Sequence, residues 1–503
     1  MLAIYKRELK SYFRSFIGFL FIAVTLFFLG LYFSVYNLMN GYPYFAYVVS
    51  SVTFLFMLTV PILTMRILAE EKRSKTDQLI LTAPVSVGGI VMGKFLALLT
   101  IFAIPVAIIC FYPLIMAQYG SVPMGEAYLS ILAYFLFGMT AIAIGLFLSS
   151  VTESQVIAAV LTFLVLFLGY MMDSICSIIS STGNLLTKIL RCFDLYTPFS
   201  NLLNGTLDVS SIVYYASVTA LVLFLTVQSI QKRRYSMSVK NLSFSAYSTG
   251  MIAVAVALVV VVNIIMGEMP SSWTAIDMTS QKLYSLTDQT VDYVKNMQDD
   301  VTIYVLVNQD NQDTTLGQTL QRYDDLSDHI TVEYVDPTVN PMFYTQYTTG
   351  NISTNSLIVV SEKRSKVIDY NDVYESSYDF DYSTYSYNTT TTGYDGEGQI
   401  TSALDYVLND DMPKVYMTTG HNELSLSNTF TSALNKENVD YETVNLMDLD
   451  AIPDDAACLF INGATSDFSS DDKDKMIEYL NNGGKVILVT GYTDEETPNI
   501  DAI

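Results

Sequence analysis

The chain has 503 residues, 51% of them apolar and only 15% charged, and its 26 Lys+Arg against 50 Asp+Glu give a net charge of −24. That balance excludes a disordered chain, which lacks apolar residues to bury, and a nucleic-acid-binding chain, which needs a cationic face. The charge is unevenly placed: residues 1–266 hold 15 basic and 9 acidic side chains, whereas residues 267–503 hold 11 basic and 41 acidic ones. The two parts therefore belong in different surroundings.

An apolar run of about 18 residues or more is long enough to cross a bilayer and too long for an ordinary core helix. Seven stretches qualify or come close: 16–36, 46–68, 88–117, 127–149, 156–172, 213–230 and 247–266. The first follows basic residues, as a cleaved signal does. It is long, has no small-residue cleavage pattern and is followed by further spans, so it reads as a retained helix. Cationic loops are held on the cytoplasmic side. Lys6, Arg7, Lys10 and Arg14 precede the first span; Arg66, Lys72, Arg73 and Lys75 follow the second; Lys232, Arg233, Arg234 and Lys240 lie between the last two. All twelve share one face if the N-terminus is cytoplasmic, and the opposite short loops carry only Lys188 and Arg191. An odd number of spans then predicts that residues 267–503 are extracytoplasmic. Cys176 and Cys192 flank an outer loop where a bridge is possible, although with Cys110 and Cys458 they make four scattered cysteines and no disulfide framework.

After Met266, strand and helix patterns alternate. Thr287 can cap a helix that carries Val291, Val294 and Met297 on one stripe, and Val301, Ile303, Val305 and Val307 recur with the period of a half-buried strand. Leu316, Leu320, Tyr323 and Leu326 suggest the next helix, 330–335 and 357–360 two more strands, and this first small α/β unit covers 271–369. Residues 370–398 are rich in Tyr, Asp, Ser and Thr with few aliphatics; they read as a solvated loop, or less simply as a Tyr-rich contact surface for glycan or a partner. A second unit, 399–503, alternates helices at 403–408, 428–434 and 471–480 with strands at 415–418, 441–444, 458–461 and 486–489. Strands separated by helices imply a mostly parallel, doubly wound sheet. The chain stops shortly after a strand, as a truncated domain would.

The segment after the second span runs Glu70-Glu71-Lys72-Arg73-Ser74-Lys75-Thr76-Asp77, then Leu79-Ile80-Leu81-Thr82-Ala83-Pro84-Val85-Ser86, and Gly93-Lys94-Phe95 follows. A charged cluster, an amphipathic turn and a proline before Gly88 and Gly89 suit either a short interfacial helix that re-enters the membrane or an ordinary juxtamembrane loop. These residues resemble the permease of ABC-2-type exporters over residues 1 to about 235. The resemblance implies a six-span domain at 1–235, followed by a linker and seventh span at 236–270. It also implies that Glu70, Glu71, Lys72, Arg73 and Asp77, with the N-terminal amphipathic helix, contact a separate cytoplasmic ATPase. Residues 88–94 match G-x-x-x-x-G-K, but Phe95 stands where a phosphate loop needs Ser or Thr, and the match opens an apolar span. No cofactor is expected on this chain, and ATP is expected on the partner subunit.

The outer part is similar to the auxiliary component of gliding-motility-type ABC exporters. The resemblance rests on Ile276-Asp277-Met278-Thr279, Lys282-Leu283-Tyr284-Ser285-Leu286, 396–403, 414–423 and 479–485. It implies a thioredoxin-like unit and then a flavodoxin-like one, fused here to the permease, in a bacterial system. That family typically adds a C-terminal transmembrane helix, which this sequence does not show. Gly420, His421 and Glu423 follow a strand at the carboxyl edge where such sheets place ligands. They read as a structural turn or as a ligand site. Neither a catalytic nor a metal set is assembled around them, since His329 and His421 are the only histidines and no nucleophile elbow is present. The expected fold class is thus an α-helical polytopic membrane bundle followed by an extracytoplasmic α/β region. The expected function is the permease of an ATP-driven exporter, working as a homodimer or with a paired permease in the bilayer of the cell membrane. The alternative is a non-transporting envelope complex that passes ATP-driven motion to cell-wall machinery. Few charges in the spans argue against an ion relay and for a lipid-like, polymeric or peptide substrate.

Overall fold

The computed structural model describes residues 1–78, 82, 84–179, 185–234, 242–267, 269, 274–279, 282, 283, 285–307, 312–350, 352–381, 386–409, 412–493 and 496–503. Leu79, Ile80, Leu81, Ala83, Lys240, Tyr284 and residues 382–385 of the Tyr-rich segment lie outside the described residues. The chain divides into two units, Met1–Ser285 and Leu286–Ile503.

The first unit is helical. Helix α1 (Leu2–Arg14) is amphipathic; α2 (Phe16–Phe33) continues through a π-helical turn to Met39; α3 (Ala46–Thr64) runs with little interruption into α4 (Arg66–Arg73). Then come α5 (Val87–Ile109), the short α6 (Tyr112–Met116), α7 (Met124–Val151) and α8 (Gln155–Tyr170). Short helices α9 (Met172–Ile179), α10 (Leu185–Arg191) and α11 (Thr197–Leu203) lead to strand β1 (Thr206–Asp208), α12 (Val209–Arg234), α13 (Leu242–Gly267) and strand β2 (Ala275–Asp277). Six spans are apolar and long enough to cross a membrane: 16–39, 46–73, 87–116, 124–151, 209–232 and 249–267.

The expected fifth span is a shorter apolar helix, α8, whose 16 residues rise about 24 Å against a hydrocarbon core of about 30 Å. Its course is fixed by its neighbours. At one end of the bundle, Ser149 Oγ near the close of α7 accepts the N–H groups of Leu68 and Ala69 and donates to Met65 O, which ties α7 to the α3–α4 junction. At the other end, a Cβ on Gly125 at the start of α7 would lie 2.7 Å from Met278 O, and Gly205 packs on Glu126 and Thr279. β1 and β2 pair antiparallel there, Leu207 opposite Ile276. Leu195 N donates to Gly169 O at the close of α8, and Tyr215 Oη near the start of α12 donates to Leu195 O. The chain thus stands at the first end at Ser149 and at the second by Leu195, so α8, short as it is, runs from one end of the bundle to the other.

Helices without a hydrophobic drive between them associate through close packing of small residues. α7 supplies these: a Cβ at Gly138 would collide with Phe102 and one at Gly145 with Thr64. Phe56, Phe102 and Tyr134 fill the interior, with ring centroids 4.9–5.4 Å apart. Thr140 Oγ1 meets Thr219 Oγ1 at 2.9 Å, joining α7 to α12. Cys176 and Cys192 are not joined by a disulfide, so the bridge that the sequence allows is not made.

The second unit begins with α14 (Asp288–Lys295), whose first turn is capped by Thr287 accepting from Thr290 N. A four-stranded sheet follows from β3 (Val301–Val305), β4 (Ile330–Tyr334), β5 (Leu357–Val360) and β6 (Ser365–Ile368), in the order β4-β3-β5-β6. β3 and β4 are parallel through α15 (Thr314–Leu326), and β5 and β6 are antiparallel to their neighbours. The Tyr-rich segment is not a bare loop. After a turn of helix, α16 (Tyr370–Val373), it forms a two-stranded ribbon of β7 (Tyr374–Asp381) and β8 (Ser386–Tyr394). Its base is anchored by the phenols of Tyr370 and Tyr374, which donate to the carboxylate of Asp313, the N-cap of α15.

Helix α17 (Gly396–Leu408) follows the ribbon. The sequence boundary at 399 puts this helix with the last unit, but its Ile400, Ala403, Leu404 and Val407 pack with Val301, Ile303 and Leu357 in the core of the first sheet. The division between the two sheets therefore falls after it. The second sheet has order β10-β9-β11-β12, all parallel, from β9 (Lys414–Thr419), β10 (Asp440–Asn445), β11 (Ala456–Ala464) and β12 (Val486–Thr490). Helix α18 (Asn428–Lys436) follows β9, and α19 (Ser470–Asn481) follows β11. Gly483 takes the positive φ (+89°) that closes α19, and α20 (Pro498–Asp501) ends the described chain.

Candidate functional site: a charged helix at one end of the bundle

The first part of the charged segment singled out in the sequence, Glu70–Arg73, forms the end of α4, which continues the helix of α3 beyond the apolar part, and Ser74–Thr76 turn before Asp77. It lies among α1, the start of α5 and the end of α7. The five expected contact residues divide by exposure. Glu70 and Arg73 are exposed, Asp77 is half-exposed, Glu71 is partly covered, and Lys72 is buried. Glu70 pairs with Arg66 at 2.8 Å along the helix. The face available to another molecule is therefore that of Glu70, Arg73 and Asp77, while Glu71 and Lys72 turn inward.

Glu71 belongs to a buried ion cluster that sequence reading missed. Lys94 is fully buried, 0% exposed, in the second turn of α5. Its ammonium reaches Glu8 Oε1 of α1 at 3.0 Å, Glu71 Oε2 of α4 at 2.9 Å and Ile67 O at 3.0 Å. Arg7 contacts both carboxylates, Glu71 Oε1 at 2.8 Å and Glu8 more closely still. Two cations meet two carboxylates, so the cluster carries no net charge, which is the condition for a charge to sit in such a place. Burial pushes the Glu8 carboxyl up, but Lys94 and Arg7 outweigh it and hold the group below its usual value. The pairing needs α1 to lie close on α5. Gly93 permits this, since a Cβ there would stand 3.1 Å from Met1 O and 3.2 Å from Ile4. The G-x-x-x-x-G-K match is therefore helix, with Lys94 already holding three acceptors. The signal available in the sequence was a single lysine inside a 30-residue apolar span.

In the second unit, Gly420, His421 and Glu423 do come together, with a fourth residue, Asp472, beside them. Gly420 has φ +113°, and a Cβ there would lie 2.7 Å from Asn445 Oδ1. The turn brings Glu423 back to accept His421 N at 2.7 Å. The His421 ring is buried against Phe468, with Nε2 3.3 Å from Asp472 Oδ2 and Nδ1 3.6 Å from Glu423 Oε1. Asp472 sits in the first turn of α19, where Ser469 Oγ accepts its N–H and donates to its carboxylate. The Ser-x-x-Asp spacing of a capping box marks that position in the sequence. His421 O also accepts from Thr465 N and Ser466 N, and Asn462 exchanges hydrogen bonds with the Leu424 backbone. The loops at the β9 and β11 edges are thus tied to one another, while His421 Nδ1, Glu423 Oε1 and Asp472 Oδ1 are buried without a hydrogen-bond partner among the described residues. Among the described residues no group of three His, Cys, Asp or Glu side chains is placed to hold a metal ion.

The fold and these two clusters define a multi-pass membrane protein with an attached α/β unit and a charged helix at one end of its bundle. Residues 22–230 match the family model described as ABC-2 family transporter protein. That part of the chain is similar to the membrane domain of ABC-2 family transporters. Residues 280–373 match a model described as a domain of unknown function, DUF7088, which overlaps the first α/β sheet. No curated protein matches the chain.

Proposed function

We propose that the chain is the permease subunit of an ATP-driven exporter, with the α/β unit as a fused extracytoplasmic auxiliary domain similar to that of gliding-motility-type systems. The N-terminus is cytoplasmic, and ATP is bound and hydrolysed on a separate subunit that docks on α1, on the Glu70 and Arg73 face of α4 and on Asp77 just beyond it. The observation that carries this reading is the excess of basic side chains at one end of the bundle. Lys6, Arg7, Lys10, Arg66, Lys72, Arg73 and Lys94 gather there, against Glu8, Glu70 and Glu71, where α1, α4 and the close of α7 meet. Glu126, Asp208 and Asp277 gather at the other, beside β1 and β2. A bilayer orients such a bundle with its basic end inside. Because aromatic rings fill the interior of the single bundle, the translocation path lies between two copies or between this chain and a paired permease. A lipid-like, polymeric or peptide substrate suits spans whose buried lysine is already neutralised.

The test is recovery of the ATPase on the tagged full-length chain. Reversing only the exposed charges, Glu70→Lys with Arg73→Glu, leaves the Lys94 cluster in place and is expected to abolish co-purification. Undiminished recovery would remove the docking assignment. Flux of labelled lipid or peptide in vesicles holding permease and ATPase separates an exporter from a non-transporting envelope complex.

A further inference from the structure

We infer that Lys94 is a positioning residue for coupling: by bridging Glu8 and Glu71 it makes α1 and α4 one mechanical body, so that displacement delivered to α4 is passed to the amphipathic N-terminal helix. This rests on the reading of α4 as the ATPase-docking helix and goes beyond it, since docking alone does not require α1 to follow.

Three observations carry the inference. Glu71 binds a cation with each oxygen, Arg7 of α1 at 2.8 Å and Lys94 of α5 at 2.9 Å, so α4 cannot shift relative to α1 without breaking a buried contact. Arg7 is half-exposed, and a pair of that kind is weak by itself, whereas Lys94 is fully enclosed. α4 is only eight residues long, and Glu70 and Arg73 on its open side flank Glu71 and Lys72 on its inner side. A push on the open side therefore moves the inner carboxylate directly. α1 has other ties: Tyr12 Oη donates to Leu63 O at 2.9 Å, Tyr5 Oη meets Thr100 Oγ1 at 3.2 Å, and the guanidinium of Arg66, the first residue of α4, lies 5.8 Å from the centre of the Tyr12 ring. The ion cluster is the contact that joins α1 to the Glu70–Arg73 turn of α4 through a buried charge.

The experiment uses the full chain with its ATPase in proteoliposomes, in a background without the four native cysteines. One reporter cysteine is placed on α1 (Ser11→Cys) and, separately, one just after α4 (Ser74→Cys). Alkylation rates are compared between nucleotide-free and ATP–vanadate-trapped complexes. In the otherwise native chain both reporters should respond to trapping. With Lys94→Met the α4 reporter should still respond, while the α1 response falls about fivefold or more, the size of an ordinary coupling energy. Glu8→Gln, which lies outside the spans, should give the same loss and carries the test if Lys94→Met does not insert. The double variant should be no worse than either single one, because the two groups act as a pair. An α1 response that survives in both variants overturns the inference, as does an α1 reporter that never responds while α4 does. A native α4 reporter that ignores trapping overturns the docking reading itself.

Discussion

Glu8 shows how a group can be buried and still ionised. Removing a carboxylate from water is costly, yet two cations within hydrogen-bonding distance return more than burial takes, and its folded pKa lies below its ordinary 4.5. A carboxylate shifted down contributes stability that is complete above the unfolded value and is lost as pH falls through the folded one. α1 is therefore expected to stay seated across neutral pH and to loosen only below 4.5. Alkylation of Ser11→Cys against pH checks this, and Glu8→Gln should remove the acid step. Gly138 is constrained by space instead of charge, since any Cβ collides with Phe102. Gly138→Val should cost about 1–3 kcal/mol, read as a lower melting temperature in detergent. Asp277 accepts from Thr279 N, Thr279 Oγ1 and Ser285 Oγ, which accounts physically for the Ile-Asp-Met-Thr motif as a turn lock after β2.

At the scale of elements, α19 and the β9 turn depend on one another. Ser469 caps the helix, Asp472 in its first turn faces His421, and Glu423 holds the His421 backbone. His421→Ala removes the ring that packs on Phe468 between two buried carboxylates, and is expected to cost about 1–3 kcal/mol, the range for leaving a buried polar group without its partner. Faster amide exchange confined to α19 and residues 420–424 of the full chain would show it, and uniform exchange would argue against the interdependence. The ribbon β7–β8 is the opposite case. A two-stranded sheet is marginal by itself, and this one is held at its base by Asp313, which caps α15 and accepts two phenols. Asp313→Ala should therefore loosen α15 and the ribbon together, by about 1–2 kcal/mol from the cap alone.

For the whole molecule, the number of crossings decides which side of the membrane the α/β unit occupies. Counting only helices of full length gives six and returns the chain to its starting side. If α8, which runs between the ends marked by Ser149 and Leu195, crosses as well, the count is seven and the α/β unit lies on the opposite side. Impermeant maleimide on intact cells tests this in a cysteine-free background. Met342→Cys, 73% exposed, should react from outside, and Lys75→Cys should react only after permeabilisation. The reverse pattern would overturn the orientation.

Composition and periodicity alone determined the membrane and α/β halves and most of the helices and strands, because each depends on neighbours along the chain. The Thr287 cap and the Gly420 turn were legible for the same reason. Tertiary structure alone decided the rest. Lys94 and Glu8 are 86 residues apart, and nothing local marks them as partners until α1 lies on α5. α17 reads as the start of the last unit, yet its apolar stripe fits the earlier sheet. The Tyr-rich segment has too few aliphatics to look like strand, but backbone pairing does not need them. Glu71 and Glu70 are adjacent and chemically identical, and only the packing of α4 turned one toward a buried lysine and left the other open to solvent.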